Sequence, residues 1–148
     1  MEHRRAIFAV KPHLAEALVR GDKQIEFRRS RPRLEEGDVI YVYATSPVQA
    51  IVGRFTCGGV IEGRPTQLWR DYRHASQVTR SFFLGYFNGN DRGFAIPVKD
   101  PERLDPPLAL DQIQQLIPGF YPPRSYRFLA DGVALANLFQ GDRRIGTD

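Results

Sequence analysis

The sequence predicts an α+β fold: a small mixed β-barrel flanked by short helices. Three observations point there. Read by hydrophobic pattern, the elements run β-α-β-β-β-α-α-β-α-β, so strands outnumber helices. The longest strand candidate carries Gly53, Gly58 and Gly59, and glycine-marked bends are how small barrels turn corners. No G-x-G-x-x-G or Walker loop is present, which removes the main signature of a doubly wound nucleotide-cofactor fold.

The first strand is AIFAV, residues 6–10, an apolar run of strand length. Pro12 suits a first helical position, Leu14, Ala17 and Leu18 fall on one helical face, and Gly21 suits the C-terminal cap. GDK is the turn into a second strand over 24–29, stopped by Pro32. LEEGD is a further turn, and VIYVYA, residues 39–44, is β-branched and aromatic, hence a strand. After TSP, residues 48–63 read as one long strand. Thr66 is the expected cap of a helix carrying Leu68, Trp69 and Tyr72, and Ser81 of another carrying Phe82, Phe83, Tyr86 and Phe87, an aromatic stripe assigned to the core. GFAIPV, residues 93–98, is a strand and DPERLDPP a rigid connector. LDQIQQLIPG is a short helix, and PPRSYRFL ends in the last barrel strand. VALANLFQ continues as helix or strand, with a frayed tail beyond it.

With 148 residues the chain fits one domain, 1–148, with its core over about 6–129 and a C-terminal extension over 130–148. No 18-residue apolar run is present, so no membrane-spanning helix is expected. The apolar run near the N-terminus is too short for a signal peptide, which points to the cytoplasm. Cys57 is the only cysteine and reads as a buried, inert thiol; the scattered His3, His13 and His74 offer no zinc spacing. No metal and no cofactor is expected. The formal charge is +4, and residues 1–34 hold nine Lys/Arg against four Asp/Glu while the rest hold twelve against thirteen. A basic excess confined to the first quarter suits a phosphate-bearing partner.

That quarter contains GDKQIEFRR, residues 21–29. Strand alternation puts Ile25 and Phe27 on the core face and Gln24, Glu26 and Arg28 on the other. Lys23 sits at the turn; as a turn lysine it should pack little, so Lys23→Ala is expected to weaken ligand binding without lowering thermal stability.

G-D-K-Q-I-E-F-R resembles the G-x-K-x-x-E-x-R signature of the ASCH domain, a branch of the PUA-like superfamily. IFAVKPHLAEALVRG looks like that family's opening, EEGDVIYVYATSPVQAIVGRF like its central hairpin, and PPRSYRFL like the closing strand of a subgroup. The resemblance implies a PUA-like barrel with a cleft at its mouth that receives RNA or a modified nucleotide. Lys23, Glu26 and Arg28 are the candidates carried over from the signature. Tyr43, Thr45 and Ser46 lie at the end of the central strand, and Ser125, Tyr126 and Arg127 in the closing one; for Tyr126 and Arg127 plain barrel closure is the competing role. Cations meet phosphate or a base carbonyl, a carboxylate accepts from an amine or N–H, and tyrosine stacks.

Two catalytic alternatives use the same cleft. One subgroup of the family hydrolyses acetylated cytidine with the signature lysine and a threonine three residues later; here Glu26 stands in that place, so that route to a modified-nucleoside hydrolase lacks its nucleophile. Another subgroup cleaves RNA without metal. There Lys23 would stabilise charge, Glu26 act as base and Arg28 bind phosphate. A non-catalytic regulatory or interaction domain is the remaining alternative. Oligomeric state is not legible.

Overall fold

The computed structural model describes residues 3–130, 135 and 137–139. Eleven elements follow in order: β1 (Arg5–Val10), α1 (Pro12–Arg20), β2 (Ile25–Arg28), β3 (Val39–Ala44), β4 (Ala50–Cys57), β5 (Ile61–Gly63), α2 (Pro65–Ser76), α3 (Arg80–Tyr86), β6 (Gly93–Ala109), α4 (Leu110–Leu116) and β7 (Tyr126–Leu129). The seven strands form one curled sheet in the order β2-β6-β4-β3-β1-β7, with β5 paired to β6. β1 and β3 run parallel and are joined through α1 and β2, while every other pair is antiparallel.

The curl comes from β6. Its first residues pair with β2 and β5, its later ones with β4, so one bent strand serves two parts of the sheet. Three of its four prolines fall where β6 carries extra residues against β4: Pro101 opposite Phe55, and Pro106 and Pro107 opposite Val52. Proline lacks a ladder donor, so it is tolerated at those places. The segment read as a rigid connector is therefore strand. The barrel stays open, because β2 and β7 are both terminal strands of the sheet and do not pair with each other.

Residue parity sorts the packing. Ala6, Phe8 and Val10 of β1 and Ile40, Val42 and Ala44 of β3 face the main core with Leu14, Ala15 and Leu18 of α1. Ile7, Tyr41 and Tyr43 face the other way, into a second core with Ile113 of α4, Phe120, Leu129, Leu135 and Phe139. A third cluster joins Ile25 and Phe27 of β2 to Leu68 of α2 and Phe83 and Phe87 of α3. Gly21 ends α1 in a left-handed conformation (φ 88°), and its N–H donates to the carbonyl of Leu18.

Three boundaries differ from the sequence reading. The long strand breaks at Gly58, whose N–H donates to the carbonyl of Pro97, and resumes as the separate β5. α2 begins at Pro65, whose missing N–H suits the first turn, so Thr66 lies inside the helix and caps nothing. α3 is capped by Thr79, whose hydroxyl accepts from the N–H of Phe82 at 3.1 Å, and Ser81 lies within the helix. Of VALANLFQ, residues 135 and 137–139 are described and helical, with Leu135 and Phe139 buried in the second core; the other four lie outside the described residues. The reading of the tail lies wholly outside them.

At Gly53 α1 packs tightly on the sheet through Val19. A Cβ there would sit 2.4 Å from the carbonyl oxygen of Glu102 and 2.5 Å from Cγ1 of Val19. Gly53→Ala is expected to destabilise the fold by about 2 kcal/mol through overpacking, read as a lower urea midpoint at unchanged slope.

Candidate nucleic-acid interface at the barrel mouth

The site lies where the barrel fails to close. A cleft of about 730 Å³ opens there, lined by residues of α1, β2 and α3 and of the segment entering β7. Its floor is a charged row on β2. Alternation sends Ile25 and Phe27 to the third core and leaves Glu26 and Arg28 facing the cleft. All four residues of β2 are buried, so the polar face is not solvated.

Glu26 is held from both sides. Its Oε2 lies 2.9 Å from a terminal nitrogen of Arg28, and its Oε1 lies 3.6 Å from Nζ of Lys23. Arg28 spans the open side of the barrel: its other terminal nitrogen donates to Oγ of Ser125 at 2.6 Å, and its guanidinium lies 4.1 Å from the centre of the Phe8 ring. Side chains thus join the edges that no backbone ladder joins. The Nε of Arg28 is buried without a partner.

Lys23 is only 1% exposed. Its ammonium donates to the carbonyl of Ser76, the last residue of α2, and the neighbouring Gln24 N–H donates to the carbonyl of Ala75 at 2.7 Å. The two donors satisfy carbonyls that a helix C-terminus leaves free, and the negative end of the helix dipole favours the cation there. Burial pushes the pKa of Lys23 down; the charge and hydrogen bond of Glu26 oppose this, and Arg28 adds to it. This overturns the expectation for a loosely packed turn lysine. Lys23→Ala removes a partner of a buried carboxylate and should lower thermal stability as well as ligand affinity.

Among the residues singled out from the sequence, Lys23, Glu26, Arg28, Thr45 and Ser125 line the cleft. Tyr43 does not: its parity places it in the second core, with its hydroxyl buried and unpartnered. Ser46 is exposed in the turn after β3. Tyr126 packs against Phe8, and its hydroxyl accepts from the N–H of Arg33 at 2.9 Å, which is a closure contact. Arg127 takes the opposite parity and lies over Phe120 at 5.1 Å. Cys57 is 1% exposed, and burial pushes its pKa up.

The cleft also contains residues that sequence reasoning did not assign to it. Exposed Lys11, Arg29 and Arg124 add positive charge. The aromatic stripe of α3 divides: Phe83 and Phe87 are buried in the third core, Phe82 is exposed at the cleft, and Tyr86 lines the cleft while packing partly against that core. Burial pushes the pKa of Tyr86 up, with Arg28 opposing and Glu26 adding. Pattern alone could have separated them, since consecutive residues of a helix cannot share one face. No group of three or more His, Cys, Asp or Glu side chains among the described residues is placed to hold a metal ion. No helix among them is long and apolar enough to cross a membrane.

The ASCH domain profile matches residues 8–101. The chain is 29% identical over 128 residues to the ASCH domain-containing ribonuclease of Zymomonas mobilis, covering 86% of each protein. The crystal structure of ASCH from Zymomonas mobilis superposes with a TM-score of 0.86 at 27% identity, over 93% of this chain and 95% of that one. A hypothetical protein from Leishmania major superposes with a TM-score of 0.58 at 10% identity, over 97% of each chain, a likeness of fold alone. With the signature residues gathered on the cleft floor and the profile spanning most of the chain, this protein belongs to the ASCH domain family.

Proposed function

We propose that the cleft binds RNA and cleaves it at the floor formed by Lys23, Glu26 and Arg28. The observation that carries this reading is the buried carboxylate between two cations at the base of a basic cleft. A surface meant only to attract phosphate gains nothing from a negative charge there, because the charge weakens non-specific affinity. The name of the Zymomonas mobilis relative, a ribonuclease, supports the same reading.

The chemistry needs a base for the 2′-hydroxyl and a cation for the charge that builds on phosphorus. Glu26 accepts the 2′-hydroxyl proton. The 2′-oxygen bonds to phosphorus, the bond from phosphorus to the 5′-oxygen breaks, and the proton ends on that oxygen. Arg28 faces the phosphate, and Lys23 holds Glu26 in place. The products are a 2′,3′-cyclic phosphate and a 5′-hydroxyl.

One observation favours a second reading, binding without turnover. Both oxygens of Glu26 already face cations, so neither is free to meet a 2′-hydroxyl unless one of those contacts is given up. Incubating the protein with an RNA oligonucleotide in excess chelator separates the two. Cleavage to cyclic-phosphate ends, lost in Glu26→Gln, supports the enzyme. Binding of the oligonucleotide with no cleavage at micromolar protein leaves the binding module, and absence of both removes the proposal.

A further inference from the structure

Phe82 and Tyr86 stand four residues apart on α3, and both line the cleft. Their rings are nearly parallel, with planes 9° apart and centroids 6.1 Å apart. Phe83 and Phe87 are the rings buried against Phe27; Phe82 lies outside that core, and Tyr86 packs on its edge against Phe87 while still lining the cleft. Phe82 is 39% exposed. A cation lies by each ring: Nζ of Lys11 is 5.5 Å from the centre of Phe82, and the guanidinium of Arg29 is 4.6 Å from the centre of Tyr86.

We propose that this ring pair is a base-stacking platform, so that the cleft selects RNA carrying an unpaired base; the inference rests on the RNA reading above. A cation over a ring open to water is a weaker contact than a nucleobase stacked on the same ring. The side chains of Lys11 and Arg29 are long and exposed, so they can leave the rings when a base arrives and turn to its flanking phosphates. The cations that occupy the rings in the free protein thus become phosphate ligands in the complex. Tyr86 also ties the platform to the floor, because its hydroxyl accepts from the N–H of Arg29, next in sequence to Arg28. A base on Tyr86 therefore brings its phosphate toward Arg28. Bases inside a duplex already have both faces stacked and cannot use the platform, whereas any unpaired base can, because every base has a π-face.

The test uses a short RNA strand with 2′-O-methyl riboses, which removes the attacking hydroxyl, and an abasic strand of the same length and backbone. Affinities are read by fluorescence anisotropy for the wild type and for Phe82→Leu combined with Tyr86→Leu. The wild type should bind the base-bearing strand at least about five-fold more tightly. In the double variant that gap should fall below about two-fold. Equal wild-type binding of both strands overturns the platform and leaves the RNA site standing. A gap that persists in the variant also overturns it. If the wild type binds neither strand, the RNA reading falls and the platform falls with it. The comparison of strands on the wild type stands whether or not the variant folds.

Discussion

Glu26→Gln should lower the stability of the protein by about 3 kcal/mol, although the side chain keeps its shape. The substitution leaves Lys23 and Arg28 as neighbouring buried cations with no counter-charge, and uncompensated buried charge is among the costliest single changes known. The figure is placed low in the usual range because the amide oxygen still accepts a hydrogen bond from Arg28. The melting temperature should fall on the order of 10 °C for a chain of this size. The loss should also depend on pH in a defined direction. Burial already holds Lys23 below its ordinary 10.5, and Glu26 is the main group opposing that. Without Glu26 the folded pKa falls further. Between the folded value and 10.5 the unfolded chain binds more protons, so stability rises with pH across that window, while below the folded value the full penalty applies. The variant should therefore recover stability relative to the wild type as pH is raised toward 10.5. Parallel pH profiles in urea unfolding would show that Glu26 does not control Lys23. The freed positive charge should also tighten binding to random RNA at low salt, an effect that fades as salt rises.

Under the proposed cleavage chemistry, Arg28→Lys should reduce RNA cleavage by about a hundred-fold while keeping the net charge. The guanidinium serves three contacts at once: Glu26, Ser125 and the Phe8 ring. Lysine offers a point charge with no planar fork, so it cannot hold the carboxylate and the serine together while staying over the ring. The magnitude follows the loss of one well-placed donor to developing charge. If the basic character of the cleft were all that mattered, a charge-conserving change would leave activity where it was. Wild-type cleavage in Arg28→Lys, at matched folded fraction, would contradict the role given to its geometry.

What the sequence showed and what it hid follow from distance along the chain. β1, α1 and β2 are legible because their signals are local: an apolar run, a proline at the first helical turn, a glycine at the cap, a period of two. The faces of β2 came the same way, and Glu26 and Arg28 lie opposite Ile25 and Phe27 as alternation requires. The state of Lys23 was hidden because its acceptor, the carbonyl of Ser76, is 53 residues away. The extent of β6 was hidden because prolines argue against a strand, and only the extra residues that β6 carries opposite Val52 and Phe55 make room for them. Tyr43 lies apart from the cleft lining for a different reason: one residue before the end of β3, parity turns it into the second core, and Thr45 is the residue that the turn carries round to the cleft.

The measurement that bears most directly on the account is a crystal structure of the protein with a 2′-O-methyl dinucleotide. The account predicts the phosphate within hydrogen-bond distance of Arg28, beside Glu26 and Ser125, at the open edge between β2 and β7. A nucleotide bound elsewhere, for example at the exposed cluster of Arg31, Glu62 and Arg92, with the cleft floor empty, would contradict it.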